Sequence, residues 1–265
     1  MLVWTRRGRG IVLAVFALVV VVVFVAPIAT VVAAALAGSW TGPLPSNLGL
    51  ANFRAALSGQ EAASLSVSLQ TALLSGGVAL ILGTWTALAA YEAPGWWRKL
   101  TDAVFHLPVT VPSVAIGLGV LIAFNERPLL LGGTKWIVIV AHSVLVLAYA
   151  FSAVSAALDR LDPAYRQAAE SLGAGPVRVL FQVTLPLLLP ALGAAAGLAI
   201  ALSMGELGAT VMVYPATWKT LPVTIFGLTD RGEVFDAAAS TCLLLAVTLV
   251  ALVALGRLRG RAALR

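Results

Sequence analysis

Few side chains in this sequence could carry out chemistry, and the most conspicuous is a carboxylate near the middle of a long apolar run. Glu206 lies in residues 203–210, the unusual stretch of a segment that is otherwise apolar. The two histidines, His106 and His142, are far apart and lack the spacing of a metal site. The single cysteine, Cys242, can form no internal disulfide and has no metal-ligand pattern around it. These residues do not form the cluster that a catalytic site needs.

Glu206 has three possible roles, which the sequence leaves open. A charge in the middle of a membrane is costly unless it is paired or faces water, so this side chain should face a bundle interior. There it could form a gate or wall of a permeation path, or it could tie helices together through hydrogen bonds. A proton-coupled role is the third, but no second buried acid supports a relay. Flanking glycines allow bending or close packing. The candidate path residues are Met204, Gly205, Glu206 and Gly208.

The elements that must position these residues are membrane helices. Of the 265 residues, 60% are hydrophobic and 11% are charged, and the mean hydropathy is +1.00. Several apolar runs reach about 20 residues, the length that crosses a bilayer. The composition therefore excludes a soluble domain and predicts an all-α, polytopic membrane protein. The net charge of +6 does not indicate nucleic acid, because the basic residues form short clusters between the apolar runs.

Six apolar runs are predicted to span the membrane. The first is too long for the core of a signal peptide, so an uncleaved span is expected. Pro108 and Pro112 in the third run predict a kink or a partly unwound stretch. Residues 38–64 fit either a short interfacial helix with the apolar spacing of Leu50 and Phe53, or an irregular loop. The predicted spans are 11–37, 66–91, 103–124, 136–158, 186–213 and 236–255.

The segment between the fourth and fifth spans is neither wholly apolar nor a short turn. Asp162, followed by a proline, predicts the start of a short helix, and Gly173 predicts its end. Gly175, also followed by a proline, predicts a second short helix that ends at Leu185-Pro186. We call residues 159–186 the elbow. Its small residues, which allow close approach of another chain, are Ala168, Ala169, Gly173 and Ala174.

The elbow resembles the EAA loop of ABC-importer permeases. That pattern is Glu-Ala-Ala, three residues, Gly, about nine residues, an apolar residue, one more, and Leu-Pro. The sequence departs at Gln167, where the family usually has Glu, so a salt bridge from this position is in doubt. The matching positions are Gln167-Ala168-Ala169, Gly173, Val183, Leu185-Pro186 and Pro190. In the family the loop docks into a groove of a cytoplasmic ATPase, which implies ATPase coupling by Gln167, Ala168, Ala169, Glu170, Gly173, Ala174 and Arg178.

The resemblance also implies a type I ABC importer permease fold, with six transmembrane helices and a first, partner-facing span outside the shared core. The sequence has no G-x-x-x-x-G-K-[ST] phosphate loop, so ATP and Mg would be bound by a separate ATPase. The expected partners are that ATPase, a second permease (a heterodimer is favoured) and an extracytoplasmic substrate-binding protein. The chain is thus interpreted as a transport subunit without a cofactor and not as an enzyme. The expected domains are an N-terminal span with its outer loop (1–64), a permease core (65–257) and a basic tail (258–265).

The stretch around Glu206 indicates a particular branch of the permease family. Residues 206–210, Glu-Leu-Gly-Ala-Thr, resemble the Glu-Phe-Gly-Ala variant of permeases for sulfate, molybdate, ferric iron, thiamine and polyamines. Residues 203–240 as a whole are most similar to permeases assigned to 2-aminoethylphosphonate uptake. The resemblance therefore implies a phosphonate as solute, with the other five solutes as alternatives. A stand-alone secondary transporter or channel is the rival class, but its paired broken helices or several intramembrane charges are not clear in the sequence.

The distribution of basic residues predicts the orientation. One side carries about twelve of the 17 Lys and Arg residues and is therefore predicted to be cytoplasmic, with both termini. The resemblance places the chain in the bacterial inner membrane. Residues 214–235 would then be an outer loop that either contacts the binding protein or is simply solvated, with Trp218, Lys219 and Arg231 as candidate contacts. The basic residues on the predicted cytoplasmic side are Arg6, Arg7, Arg9, Arg98, Lys99, Arg160, Arg166, Arg178, Arg257, Arg259, Arg261 and Arg265.

Overall fold

The computed structural model describes the backbone of residues 6–262 and the side chains of residues 8–257. The side chains of the predicted basic tail (258–265), and those of Arg6 and Arg7, lie outside the described residues, so their place in the orientation argument stays a prediction. Within the described part the chain is helical, and its only extended pairing is a single bridge between Ser39 and Ser46. The all-α prediction is confirmed.

The described backbone contains thirteen α-helices and two π-helical turns. One π-helical turn, Val21–Val25, joins the first two helices, and the other, Leu180–Thr184, joins the ninth and tenth. The helices are α1 (Arg6–Val20), α2 (Ala26–Leu36), α3 (Ala51–Ala56), α4 (Gly59–Tyr91), α5 (Gly95–Thr110), α6 (Ser113–Ala123), α7 (Lys135–Leu158), α8 (Pro163–Ser171), α9 (Pro176–Val179), α10 (Leu185–Met204), α11 (Gly208–Val213), α12 (Leu221–Asp230) and α13 (Val234–Ala262).

The six predicted spans appear as five continuous helical segments and one broken pair. The broken pair is α5 with α6, which meet at an angle of 107°. Region 38–64 contains the short helix α3, one of its two possible structures. The continuous segments that are long and apolar enough to cross a bilayer are Gly8–Leu36, Gly59–Tyr91, Lys135–Leu158, Pro176–Met204 and Val234–Arg257.

The break in the third span is sharper than a kink, and only one of its two prolines causes it. Pro108 lies inside α5 without ending it. Val111 has extended backbone angles, φ −100° and ψ 134°, because the ring of the following proline excludes the helical region for the residue before it. Pro112 is likewise extended, and α6 starts immediately after it. The proline that follows Val111 therefore divides the span in two.

The predicted bounds of the fifth span are wrong at both ends. Leu185-Pro186 does not end a helix, because the π-helical turn Leu180–Thr184 precedes it and the backbone runs on into α10. The wider turn contains Gln182, whose carbonyl would otherwise clash with the ring of Pro186. At the other end α10 stops at Met204, and residues 205–207 separate it from α11. The predicted outer loop, 214–235, is not wholly irregular, because it contains the helix α12.

The chain divides into two compact units, Ser64–Val223 with Leu245–Arg265 and the described part of Met1–Ala63 with Thr224–Leu244. In the larger unit α7 is the central helix, with most of its apolar window buried against α4 and α10. Small side chains fill this contact, among them Ala79, Ala150 and Ala199, all of which are fully buried. In the smaller unit Asn52 donates to the carbonyls of Ala35 and Ala37, at 3.0 and 2.8 Å, and so holds α3 at the end of α2.

Two glycines of α4 provide a matched test of this packing. A Cβ atom at position 83 would lie 2.9 Å from the backbone N of Phe151, whereas one at Gly77 would meet nothing within 4 Å. We expect Gly83→Ala to destabilise the protein by about 1–3 kcal/mol, the usual cost of overpacking. Gly77→Ala should be neutral or stabilising, because alanine favours the helix. Thermal unfolding of the purified protein in detergent measures both, and equal unfolding temperatures for the two variants would contradict this packing.

Candidate functional site

The two helix breaks of the larger unit lie against each other. A Cβ atom at Gly117 of α6 would lie 2.6 Å from the carbonyl O of Ala209 in α11, so only glycine allows this crossing. A Cβ at Gly208 would collide with the hydroxyl of Ser113 and would lie 3.1 Å from a methyl of Val114. Gly208, a predicted path residue, is therefore a packing contact between the starts of α6 and α11.

A cavity of about 210 Å³ lies beside the two breaks. Glu206 lines it from the α10–α11 break, and Val111 lines it from the α5–α6 break. Of the other predicted path residues, Met204 is 1% exposed and packs inside the protein, and neither it nor Gly205 lines this cavity. The lining residues are Pro108, Val109, Val111, Ser113, His142, Leu145, Val146, Tyr149, Leu202, Ser203 and Glu206.

The Glu206 carboxylate has a second contact, within its own segment. One carboxylate oxygen accepts a hydrogen bond of 2.8 Å from the backbone N–H of Ala209. This N–H is one of those that the start of a helix leaves without a backbone partner. Glu206 thus caps α11 while its half-buried side chain also faces the cavity. It is the only Asp, Glu, Lys or Arg among the described residues that line the cavity.

A buried chain of polar groups crosses the α10–α11 break, and the sequence analysis missed it. His142 of α7 is 1% exposed. Its Nδ1 lies 2.7 Å from the Ser203 hydroxyl of α10, and its Nε2 lies 2.8 Å from the Thr210 hydroxyl of α11. Ser75 of α4 adds a contact of 3.2 Å to Ser203. His142 carries the same signal in the sequence as Glu206, a polar group inside an apolar run.

The elbow begins and ends as its residue types predict. Asp162 accepts from the N–H of Ala164 at 2.9 Å, and α8 starts at the next proline. At the other end Gly173 has φ +81°. The N–H of Gly173 bonds to the carbonyl of Glu170 and that of Ala174 bonds to the carbonyl of Ala169, which is the pattern of a Schellman stop. Glycine is needed here because other residues are strained at this φ.

The elbow presents apolar side chains that this chain leaves uncovered. The exposed fractions are 89% for Leu172 and 70% for Val177, and Tyr165 and Phe181 are also more than half exposed. The residues predicted to couple to an ATPase lie in the same segment. Five of them are exposed, Gln167, Ala168, Glu170, Gly173 and Arg178, and two are half-buried, Ala169 and Ala174.

Ion pairs connect the elbow to its surroundings. Arg166 contacts Glu170 at 2.8 Å in its own helix and Glu92 at 2.5 Å in the α4–α5 connection. The hydrogen bonds that Arg166 donates to Glu170 and then to Glu92 raise the pKa of its guanidinium. Nearby, one Arg98 nitrogen contacts both carboxylate oxygens of Asp159, at 2.7 and 2.6 Å, and so links α5 to the end of α7. These pairs are half-exposed, so they orient the segments more than they stabilise them.

The three residues that are predicted to contact the binding protein have different surroundings. Trp218 donates to the hydroxyl of Thr71 at 2.9 Å, and Lys135 lies 5.4 Å from its ring, so this side chain is partly packed into the larger unit. Lys219 is half-buried next to it in sequence. Arg231, in the smaller unit, pairs with Glu233 at 3.0 Å. This hydrogen-bonded pairing raises the pKa of Arg231 and lowers that of Glu233.

Comparison with known proteins identifies relatives along almost the whole chain. It is 44% identical, over 261 residues and 98% of both chains, to proteins of Salmonella paratyphi A and Salmonella typhimurium that are both named "Putative 2-aminoethylphosphonate transport system permease protein PhnV". It is 34% identical to the molybdenum transport system permease protein ModB of Escherichia coli (strain K12), over 56% of this chain and 70% of that one.

Solved structures share the fold. A bacterial ABC transporter involved in the import of the acidic polysaccharide alginate superposes with a TM-score of 0.76 at 17% identity, over 94% of each chain. The MetNI methionine ABC transporter, in inward-facing conformations, gives a TM-score of 0.64 at 17% identity, over 76% of this chain and 95% of that one. The model of the binding-protein-dependent transport system inner membrane component family matches residues 79–261. The chain therefore belongs to this family of transport-system membrane components, as the elbow indicated.

Proposed function

We propose that this chain is the membrane subunit of an ATP-driven importer that takes up 2-aminoethylphosphonate from an extracytoplasmic binding protein. The observation that supports this choice of solute is the 44% identity, over 98% of the chain, to relatives named for 2-aminoethylphosphonate transport. Molybdate is the second candidate, because ModB is 34% identical, although over only 56% of this chain. Sulfate, ferric iron, thiamine and polyamines are supported only by the short resemblance around Glu206.

The proposed location is the bacterial inner membrane, with both termini and the elbow in the cytoplasm. The excess of Lys and Arg on the elbow side supports this orientation. The first span, Gly8–Leu36, is the most apolar, and none of its hydrophobic window is buried in this chain. An apolar helix with such a long exposed stretch suits contact with lipid and with a second permease. A different permease chain is our preferred partner.

The elbow is proposed to dock on a cytoplasmic ATPase, which would bind ATP and Mg. Leu172 and Val177 are 89% and 70% exposed, and at about 25 cal/mol per Å² such apolar surface favours a partner that removes it from water. The Schellman stop at Gly173 fixes the angle between α8 and the helix that follows. The proposed docking surface therefore has a defined shape before the ATPase binds.

The structure suggests how movement at the elbow could reach the cavity. Residues Pro176–Met204 form one helical segment of 29 residues, which corresponds to about 43 Å at 1.5 Å per residue. This rod starts in the elbow and ends at the α10–α11 break, next to Glu206. Because α6 and α11 touch through Gly117 and Ala209, a shift of one break must move the other. We therefore propose that ATPase closure changes the side to which the cavity opens.

The solute is tested by uptake of labelled 2-aminoethylphosphonate into cells that lack their own system and carry this chain with its ATPase, second permease and binding protein. We expect energy-dependent uptake that needs all the components. Unlabelled 2-aminoethylphosphonate in excess should abolish it, whereas molybdate should not. Absence of uptake by the complete system, or competition by molybdate alone, would overturn the proposed solute.

The elbow is tested with two glycines in open space. Gly173 has φ +81° and Gly175 has φ −72°, and a Cβ atom on either would meet nothing within 4 Å. Alanine at position 173 should cost roughly 1–2 kcal/mol of strain. This corresponds to about a 5- to 30-fold lower population of the conformation that docks. We expect Gly173→Ala to lower uptake and solute-stimulated ATP hydrolysis more than Gly175→Ala, which changes an N-cap but introduces no φ strain. Equal activity of the two variants would contradict ATPase coupling through this stop.

Glu206 is tested by two substitutions. Glu206→Leu removes both the cap on Ala209 and the polar group that faces the cavity, and should lower uptake about tenfold or more while the complex still assembles, since one cap is worth about 1 kcal/mol. Glu206→Gln keeps an oxygen that can accept from Ala209 and so isolates the charge. Normal uptake and normal complex yield with Glu206→Leu would show that the carboxylate has no part in the path.

A further inference from the structure

We infer that His142 is a positioning residue that holds the α10–α11 break, and with it Glu206, in the geometry needed for transport. The starting observation is where its two partners lie. Ser203 precedes residues 205–207 and Thr210 follows them, and the imidazole bonds to both hydroxyls, at 2.7 and 2.8 Å. A single rigid ring on α7 thus spans the point at which the helical backbone is interrupted.

The hydrogen bonds form one consistent chain when the imidazole is neutral. Thr210 donates to the carbonyl O of Glu206 at 3.2 Å, so its oxygen is free to accept from His142 Nε2–H. His142 Nδ1 then accepts from Ser203, and the oxygen of Ser203 is free to accept from Ser75 at 3.2 Å, a shorter contact than the 3.5 Å from Ser75 to the carbonyl of Ala72. Every member of the chain is satisfied in this direction, as buried polar groups require. The chain joins α4, α7, α10 and α11.

The last bond of the chain fixes Glu206. Its backbone carbonyl accepts from Thr210, while its side chain accepts from the N–H of Ala209 at 2.8 Å. Both contacts lie on the α11 side of the break, and His142 connects that side to Ser203 at the end of α10. If His142 is lost, Thr210 and Ser203 have no common partner, and the break can change its angle. The carboxylate at the cavity wall would then move with it.

This inference rests on the proposed function only for the role of the break in transport. Its structural part is tested by hydrogen exchange of backbone amides, measured by mass spectrometry on the purified, assembled transporter. The variants are His142→Leu, His142→Gln and Thr210→Val, the last removing one hydroxyl with little change of shape. Ser143→Ala is the matched control, because Ser143 is buried on the same helix but its hydroxyl donates to the carbonyl of Ile139 in its own helix, at 2.7 Å.

We expect Thr210→Val and His142→Leu to speed exchange about tenfold or more in residues 205–211, with little change elsewhere in α7 and α10. His142→Gln, whose amide can still reach Thr210, should show a smaller effect, and Ser143→Ala should match the wild type. Maximal uptake should fall in the same order, with an unchanged solute concentration at half-maximal rate, which the binding protein sets. His142→Leu can fail to assemble, in which case Thr210→Val and His142→Gln decide.

Exchange in 205–211 that matches the wild type, or that rises uniformly over the whole chain, would overturn the positioning role. So would wild-type uptake by Thr210→Val in a transporter whose wild type takes up 2-aminoethylphosphonate. If the wild type shows no uptake of this solute but the break responds as expected, the proposed solute is wrong while the positioning of the break by His142 stands.

Discussion

In a bilayer every backbone N–H and C=O must find a partner within the protein, and the two interrupted helices of this chain depend on that constraint. At residues 205–207 the helical ladder stops, and the side chain of Glu206 and the hydroxyl of Thr210 take over two of the lost bonds. At Val111 and Pro112 the chain is extended, and α6 starts anew against α11. The breaks are therefore tolerable only because they are packed together, and this arrangement brings a carboxylate and a histidine to one cavity.

A single helical segment connects this cavity to the elbow. The π-helical turn Leu180–Thr184 lets the chain pass Pro186 without a stop, so the helical segment Pro176–Met204 connects both ends. An interrupted helix at that point would absorb movement, whereas a continuous one transmits it. The ion pairs from Arg166 to Glu92 and from Arg98 to Asp159 link the same region to α4, α5 and α7. The architecture thus suits a membrane subunit that is moved by a partner.

Much of this could be predicted from the sequence, and the failures have physical causes. The elbow was predictable because its signals are local: Asp162 caps the start of α8, and Gly173 ends that helix. The second break was predicted only as a possible bend at the glycines that flank Glu206, because residues 205–207 contain no proline and the interruption is stabilised by contacts with α6. The continuation past Leu185-Pro186 was missed because a π-helical turn has no residue signature. The His142 chain was missed because its partners are 61 and 68 positions away, which no local pattern reveals.

The central claim, that movement of the elbow changes access to the cavity, can be measured on one engineered cysteine. Cys242 is the only native cysteine, so a Cys242→Ala background with Tyr149→Cys places a single thiol of this chain at the cavity wall. The reaction rate of this thiol with a membrane-impermeant reagent, applied from the elbow side, is compared in the nucleotide-free complex and in the complex trapped with ATP. The account predicts that ATP lowers the rate about tenfold or more. Equal rates in the two states would contradict it.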